Sequence, residues 1–595
     1  MYNPVSTYRL QFHKDFTFDR LGKIIPYLQE LGIVTIYASP ILQAAPGSTH
    51  GYNGTSPDTI NREIGTEDEL KSISKTLHEY SMGWIQDIAP NHMAYHKENE
   101  WLVDVLLNGK DSPYADFFDI VWDSPLYDGR IMVPFEGSEL ESLLREKDPA
   151  ETHYKICHWQ ETERQINYRR FFTVNDLICL NIHYQNVFEA YHRYVKLLQE
   201  EGIFQGFRID HIDGLYDPSA YLENIRQLAG DDCFIVVEKI LGRGEKLPVN
   251  WPVQGNTGYD FLSLVNNLFT NNANADAFRE FYERLIEDKR SVEDQITEKK
   301  ANILYHHMQG ELENLYRLLK NSLLDDEPED AHLKEAIGEL LIHCPVYRFY
   351  GNSMPLQKEE RAAVSSIFQA ITKSKEYLKP AVSLLQRILF NKTENGDEAY
   401  NRKALHFYRR CMQFSGPLMA KGVEDTLMYT YNSFIGHNEV GDAPDSFGTS
   451  VQGFHDAMQE RLKIAPFSMN ATATHDTKRG EDVRARLNVL TDLKEEWFQA
   501  VESWYQLNAN LPAQGAPDRN DEYLIYQSLI GHYPMPQQET GDFEERFHQF
   551  LTKALREAKR KSNWSEPDEA YEKATRDFVS SLLNKKKPFW KSFTA

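Results

Sequence analysis

Arg208 and Asp210 stand two residues apart in GFRIDHIDGL (206–215), alternating with Phe207 and Ile209. Period-two alternation puts the two charges on one face of a strand and the two apolar residues on the other. Charges inside a core are costly unless paired. On these ten residues alone, a bracing Arg–Asp pair and a reactive site are equally open. Three further stretches shift the balance. WIQDIAPNH (84–92) ends in Asp87, Asn91 and His92, CFIVVEKI (233–240) carries Glu238, and FSMNATATHD (467–476) ends in His475 and Asp476. Asp210, Glu238 and Asp476 thus arrive from three separate strand ends, with Arg208, His92, His211 and His475 around them. Three carboxylates at one mouth are hard to account for as bracing. A retaining glycosidic mechanism needs two carboxyl groups about 5–5.5 Å apart. One stays ionised as nucleophile, and Arg208 on the same face would depress the pKa of Asp210. The other holds a proton, and the apolar run before Glu238 favours the neutral acid.

Such groups need a frame that gathers strand ends. STYRLQF (6–12), VTIYASP (34–40), WIQDIAP (84–90), FQGFRID (204–210) and CFIVVEKI (233–240) read as strands, and helices over 19–32, 67–83, 186–201 and 219–230 alternate with them. The first helix carries Leu21, Ile24, Ile25, Leu28 and Leu31 on one stripe, with Gly32 as its stop signal. This rhythm means right-handed βαβ units and a parallel sheet. GYDFLSLV (258–265) is expected to carry a sixth strand and FSMNATATHD a seventh. No G-x-G-x-x-G follows the first strand and no G-x-x-x-x-G-K-[ST] occurs, which disfavours an open nucleotide-binding sheet. The expected fold is α/β, a (β/α)8-type TIM barrel with an irregular insertion after strand 3 and a large helical insertion after strand 6. In such barrels the chemistry sits at the C-terminal strand ends. The expected division is 1–91 for the first part of the barrel, 92–190 for the irregular insertion and 191–262 for the continued barrel. A helical insertion follows over 263–412, then the end of the barrel and C-terminal helices over 413–595. Met308, Leu312, Leu315 and Leu319 form a helical stripe in the insertion, and DDEPEDA (325–331) reads as a polar hinge. The lysine run of the closing NKKKPFWKSF (584–593) is expected to be a solvated tail.

A net charge of -24, from 65 basic and 89 acidic residues, makes nucleic acid and anionic membranes poor partners. Five scattered cysteines without a C-x-x-C pair fit buried thiols in a reducing cytosol. No signal peptide and no stretch near the roughly 18 apolar residues of a membrane span is visible, so a cytoplasmic location is expected. No H-E-x-x-H occurs, and neither a metal nor a redox cofactor is expected. His306 and His307 read as surface residues.

DIAPNH (87–92), GFRID (206–210), VVEKI (236–240) and THD (474–476) resemble, in order, the four motif regions of the α-amylase superfamily of glycoside hydrolases. Further stretches are similar to its maltooligosyltrehalose synthase family, over nearly the whole chain. Among them are SPILQAAPGSTHGY (39–52), YRRFFTVNDL (168–177), GNTGYDF (255–261), GPLMAKGVEDT (416–426), NEVG (438–441) and ATATHDTKRGEDVRARL (471–487). The resemblance implies Asp210 as nucleophile, Glu238 as general acid/base and Asp476 as the stabiliser of the sugar at the cleaved position. It implies that Asn91, His92, Arg208, His211 and His475 bind around that sugar and that Tyr52 stacks on its ring. Lys421 and Glu424 either shape the pocket for the reducing end or simply start a helix.

The implied reaction is intramolecular. The reducing-end α-1,4 bond of a maltooligosaccharide becomes an α,α-1,1 bond, in a step of trehalose biosynthesis. No cofactor is implied, and a functional link to a maltooligosyltrehalose trehalohydrolase is. The alternatives are an α-glucan hydrolase of the same superfamily and a truncated, non-catalytic glucan-binding remnant. The family pattern continues into a last strand and a small β-domain whose blocks do not occur here. A barrel without its last strand, or one completed by a C-terminal chain, is therefore an expectation. The family also has acidic residues where Asn53 and Ser56 stand, so looser support of Tyr52 is expected.

Overall fold

Six short parallel strands carry the site. In the computed structural model they are β1 (Thr7–Leu10), β2 (Thr35–Ala38), β3 (Gly83–Ile88), β4 (Gly206–Ile209), β5 (Phe234–Val237) and β6 (Gly255–Asn256), paired in that order. The residues described are 1–145, 152–324, 332–390, 398–513, 515–535, 538 and 541–594. Every residue of β2, β3, β4 and β5 is buried, the signature of strands covered on both faces. Helices α1 (Phe18–Glu30), α2 (Glu67–Glu79), α3 (Gln185–Glu200) and α4 (Pro218–Ala229) make the crossovers. Helix α1 buries Leu21, Ile25 and Leu28 of the expected stripe together with Phe18, whereas Ile24 is half-buried and Leu31, just past the helix end, is exposed. Helix α2 opens with a full capping box between Thr66 and Glu69. This is the α/β architecture of a TIM-barrel type.

Two expected strands are corrected. Residues 259–265 do not form strand six. They open helix α5 (Tyr259–Leu268), which buries Tyr259, Leu262 and Asn266 at helical spacing. The sixth strand lies just before it, at Gly255–Asn256. Gly258 makes the turn between them with φ +93, and a Cβ there would sit 2.3 Å from the Met469 carbonyl oxygen. The stretch 467–476 forms no strand either. It runs beside β6, where Met469 N donates to Asn256 O (2.9 Å) and Asn256 N donates to Ser468 Oγ (3.0 Å). The Met469 carbonyl is then taken by Arg461 Nη2 (2.8 Å), so the ladder does not continue.

The insertion after β3 holds two small sheets. One joins His92–Ala94, Val174–Cys179 and Arg170–Phe171, and the other joins Ile131–Val133 and Tyr154–Ile156. In the helical region the described helices include α6 (Val292–His307), α7 (Gln309–Leu323) and α8 (Glu398–Leu418). Met308, Leu312, Leu315 and Leu319 are buried in a core of their own, separate from the barrel core. The segment 325–331 lies outside the described residues. A third core joins helix Ala275–Ile286 to the C-terminal helices. The lysine run is exposed as expected, at Lys585, Lys586 and Lys587, while Phe589 just after it is buried against Trp504, with ring centroids 5.2 Å apart. All five cysteines are buried and unpaired. Among the described residues no helix is long and apolar enough to cross a membrane.

Candidate active site

Register explains the centre of the site. Strand β4 pairs Arg208 with Asp87 of β3 on one side and with Val236 of β5 on the other. The last pair between β4 and β5 is Ile209 with Val237, so Asp210 and Glu238 follow side by side on adjacent strands. Adjacent strands lie about 4.8 Å apart, which sets the scale of their separation. The ladder continues through both residues, with Asp210 N donating to Ile88 O and Glu238 N donating to Ile209 O, both at 2.8 Å.

The guanidinium of Arg208 is fully buried and serves three carboxylates. Nη1 donates to Asp87 Oδ1 (2.9 Å) and to Asp210 Oδ1, and Nη2 lies 3.1 Å from Glu238 Oε1. Sharing one cation among three anions changes the expected electrostatics. Burial holds Asp210 well above the usual carboxylate range, the Arg208 charge opposes this, and the Glu238 charge reinforces it. Arg208 thus pulls Asp210 down as the strand pattern suggested, but burial and the Glu238 charge outweigh it.

Tyr52 caps this centre. Its hydroxyl donates to Asp87 Oδ2 (2.6 Å), accepts from Arg9 Nη2 (3.1 Å) and contacts His475 Nε2 (2.8 Å). The Tyr52 and His475 rings are parallel, 5.8 Å apart. These partners hold Tyr52 firmly although Asn53 and Ser56 are not acidic. His92 Nε2 meets the Tyr52 carbonyl at 3.0 Å, and its Nδ1 is set by Asn91 Oδ1 at 2.7 Å. Asn91 is fully buried and reaches the site only through His92. Burial keeps both imidazoles neutral, lowering His92 to about 3 and His475 to about 2.

Asp476 sits in a turn between Thr474 and Thr477, where Thr477 Oγ1 donates to Thr474 O (2.9 Å). His475 Nε2 lies 3.1 Å from Asp476 Oδ2. Burial, with the Glu238 charge added, raises Asp476 to about 6. His211 adopts a left-handed backbone, φ +47, and its N–H donates to Glu238 Oε2 (2.7 Å). Phe171 and Phe172 pack edge-on against its ring at 5.0 and 4.9 Å.

Lys421 and Glu424 lie in a nine-residue π-helix, Met419–Leu427, which continues α8 without a break, so the block is helical but does not start a helix. Such turns recur at functional sites. Gly422 lets the π-helix lie directly on α6, since a Cβ there would be 3.0 Å from the Lys300 backbone. Lys421 Nζ pairs with Asp425 Oδ2 (2.8 Å) and stands 5.5 Å over the Phe172 ring. Tyr347 donates its hydroxyl to Glu424. Burial raises Glu424 to about 7 against the pull of Lys478, and the Glu238 charge adds to the rise. The two carboxyl groups are therefore within electrostatic reach of each other. Phe171, Phe172 and Lys478 were marked only by lying in the family-like stretches 168–177 and 471–487, and Tyr347 carried no signal. Among the described residues no group of three or more His, Cys, Asp or Glu side chains is placed to hold a metal ion.

Comparison with known proteins agrees with this geometry. Residues 20–275 match the model of the α-amylase catalytic domain. A protein of Mycobacterium tuberculosis described as a maltooligosyl trehalose synthase is 33% identical over 98% of this chain and 76% of its own. The structure of maltooligosyltrehalose synthase from Arthrobacter ramosus superposes with a TM-score of 0.87 at 30% identity, over 99% of this chain and 76% of that one. A further maltooligosyl trehalose synthase structure gives 0.80 at 32% identity, again over 99% and 76%. A barrel mouth with three carboxylates, and likeness along almost its whole length, lead to one conclusion: this chain belongs to the maltooligosyl trehalose synthase family of α-amylase-type enzymes.

Proposed function

We propose that the chain converts the reducing-end α-1,4 bond of a maltooligosaccharide into an α,α-1,1 bond by a retaining double displacement. The observation that carries the reading is the placement of Asp210 and Glu238 side by side on one guanidinium. In the first step Asp210 attacks C1 of the penultimate glucose while Glu238 protonates the departing O4. The C1–O4 bond breaks, a glycosyl ester on Asp210 forms, and glucose is released into the acceptor space. In the second step the anomeric hydroxyl of that glucose attacks the same C1, Glu238 takes its proton, and Asp210 leaves. Atoms balance, so substrate and product are isomers.

Asp210 attacks as the anion, although burial favours its protonated form. Arg208 stabilises the charged form, and protonation of Glu238 removes the neighbouring charge that opposes it. Asp476 and His475 hold the sugar at the cleaved position, and Tyr52 offers its ring. Lys421, Glu424 and Phe172 hold the released glucose. That retention decides the outcome, because bulk water at about 55 M competes for the glycosyl ester and only a held acceptor of high effective molarity wins.

Reaction in 18O-labelled water tests this directly. Intramolecular transfer leaves the product unlabelled, whereas hydrolysis places 18O at the anomeric carbon of the shortened chain. Label in most of the product would replace this reading with that of an α-glucan hydrolase.

A further inference from the structure

Asp210 and Glu238 are held by ladder hydrogen bonds, but Asp476 has no strand beneath it. Something else must fix its turn. On the N-terminal side, Thr474 Oγ1 meets the buried Tyr259 hydroxyl at 3.0 Å. On the C-terminal side the holder is a carboxylate. Glu439, in the NEVG stretch, is fully buried. Its Oε1 accepts the N–H groups of Lys478 (2.7 Å) and of Val440 (2.9 Å), and its Oε2 accepts that of Arg479 (2.9 Å). The two outer donors lie two and three residues beyond Asp476.

The segment that presents Glu439 is itself rigid. His437 pairs with Asp442 at 2.7 Å with both side chains inaccessible to solvent. Asn438 Nδ2 donates to Met428 O (3.0 Å) and Tyr431 O (2.7 Å), just past the π-helix, while its carbonyl accepts from Arg479 Nη1 (3.1 Å). Lys478, whose N–H Glu439 holds, extends its ammonium to 5.1 Å over the Tyr429 ring and 4.0 Å from Asp425 Oδ1. Glu439 and its neighbour therefore tie together two structures that share no sheet: the turn bearing Asp476 and the π-helix bearing Lys421 and Glu424.

We infer that Glu439 is a positioning residue that sets the register between the sugar-holding turn and the acceptor pocket, and so sets the partition between transfer and hydrolysis. The inference rests on the reading given under Proposed function. Glu439 cannot touch a sugar. It acts by fixing where Asp476 and Lys478 stand, and a misplacement of about 1 Å in such a group costs on the order of 100-fold in rate. Glutamine keeps the shape but turns an NH2 toward backbone N–H donors, so it breaks one side of the clamp. Aspartate keeps the charge but is shorter.

The test compares wild type, Glu439→Gln and Glu439→Asp on maltopentaose, following kcat, KM and glucose released per bond broken. The expected result for Glu439→Gln is a kcat lower by about 10- to 100-fold, a glucose share raised several-fold and KM changed much less. Glu439→Asp should fall between it and wild type. Folded variants with the wild-type glucose share overturn the inference, even if kcat drops in step with the folded fraction, because bracing alone does not move product partition. Should a variant fail to fold, amide hydrogen exchange in the wild type decides. Lys478 and Arg479 amides protected like those of β4 support the clamp, and exchange at the rate of an open loop overturns it. If wild type itself makes no 1,1-linked product, the functional reading fails instead, and separately.

Discussion

The two halves of the site are built by different means. The half that would break the bond stands on strand ends, where register alone puts Arg208, Asp210 and Glu238 together. The half that would grip the sugars, at the cleaved position and in the acceptor space, stands on a four-residue turn, a π-helix and aromatic side chains from the insertion after β3. Backbone ladders fix the first half. Side chains fix the second, through Tyr347 on Glu424, Asp425 on Lys421 and Glu439 on the turn after Asp476. The difference teaches where activity and selectivity reside. Loss of a strand-end group should stop the chemistry, whereas loss of an acceptor-side group should leave bond breaking and let water in.

Substitutions separate the halves, beginning with the largest effect. Asp210→Ala should lower turnover by about 10⁴-fold or more, in line with loss of a nucleophile, with the unfolding midpoint near wild type. Retained activity would remove Asp210 from that role. Arg208→Met should both slow the reaction and destabilise the chain, because breaking a buried charge network by removing one member costs about 3–5 kcal/mol. Denaturant unfolding checks this, and an unchanged midpoint would mean that the three carboxylates do not depend on the guanidinium.

Glu424→Gln should cost about 100-fold in formation of 1,1-linked product, the low end of the range for one positioned acid–base group. Glucose release should fall much less. Equal loss of both would dissolve the distinction between the halves. The same variant has a signature in stability. Glu424 rises from the usual 4.5 to about 7 in the folded chain. Between those values the folded chain keeps a proton that the unfolded chain has lost, so this group makes stability fall as pH rises from 4.5 to 7. Glu424→Gln should therefore melt higher than wild type at pH 8, by roughly 1–3 °C, and equally at pH 4. The smallest effect is expected at the rim. Tyr52→Phe keeps the ring but removes the hydroxyl shared by Asp87, Arg9 and His475, at about 1–1.5 kcal/mol in kcat/KM, or roughly tenfold. A change in KM alone, with kcat intact, would place Tyr52 in binding only.

Legibility followed the same division. Period-two patterning marked Arg208 and Asp210, and apolar runs marked β2 to β5, because buried parallel strands leave a local signature. The other half left little periodic pattern and was marked chiefly by its family-like stretches. FSMNATATHD looks like a strand by composition, yet Arg461 takes the Met469 carbonyl that would extend the ladder. GYDFLSLV is apolar enough for a strand, yet the turn at Gly258 starts a helix whose inward residues only tertiary packing selects. Phe171, Phe172 and Tyr347 are ordinary aromatics until three distant segments meet around His211 and Glu424. Glu439 is legible only as part of the family-like NEVG stretch; its clamp is not, since its partners lie about 40 residues on. For Asp210 the strand pattern shows the cation that pulls its pKa down, but not the burial that outweighs it or the Glu238 charge that adds to the rise.

The most direct test of the whole account is a single incubation of the purified chain with maltopentaose, following reducing ends and free glucose together. Reducing ends lost, with little glucose released, is the predicted result, because the acceptor half keeps the leaving glucose and returns it through its anomeric hydroxyl. Reducing ends rising together with glucose would contradict the account, since water would then be the acceptor that the pocket admits.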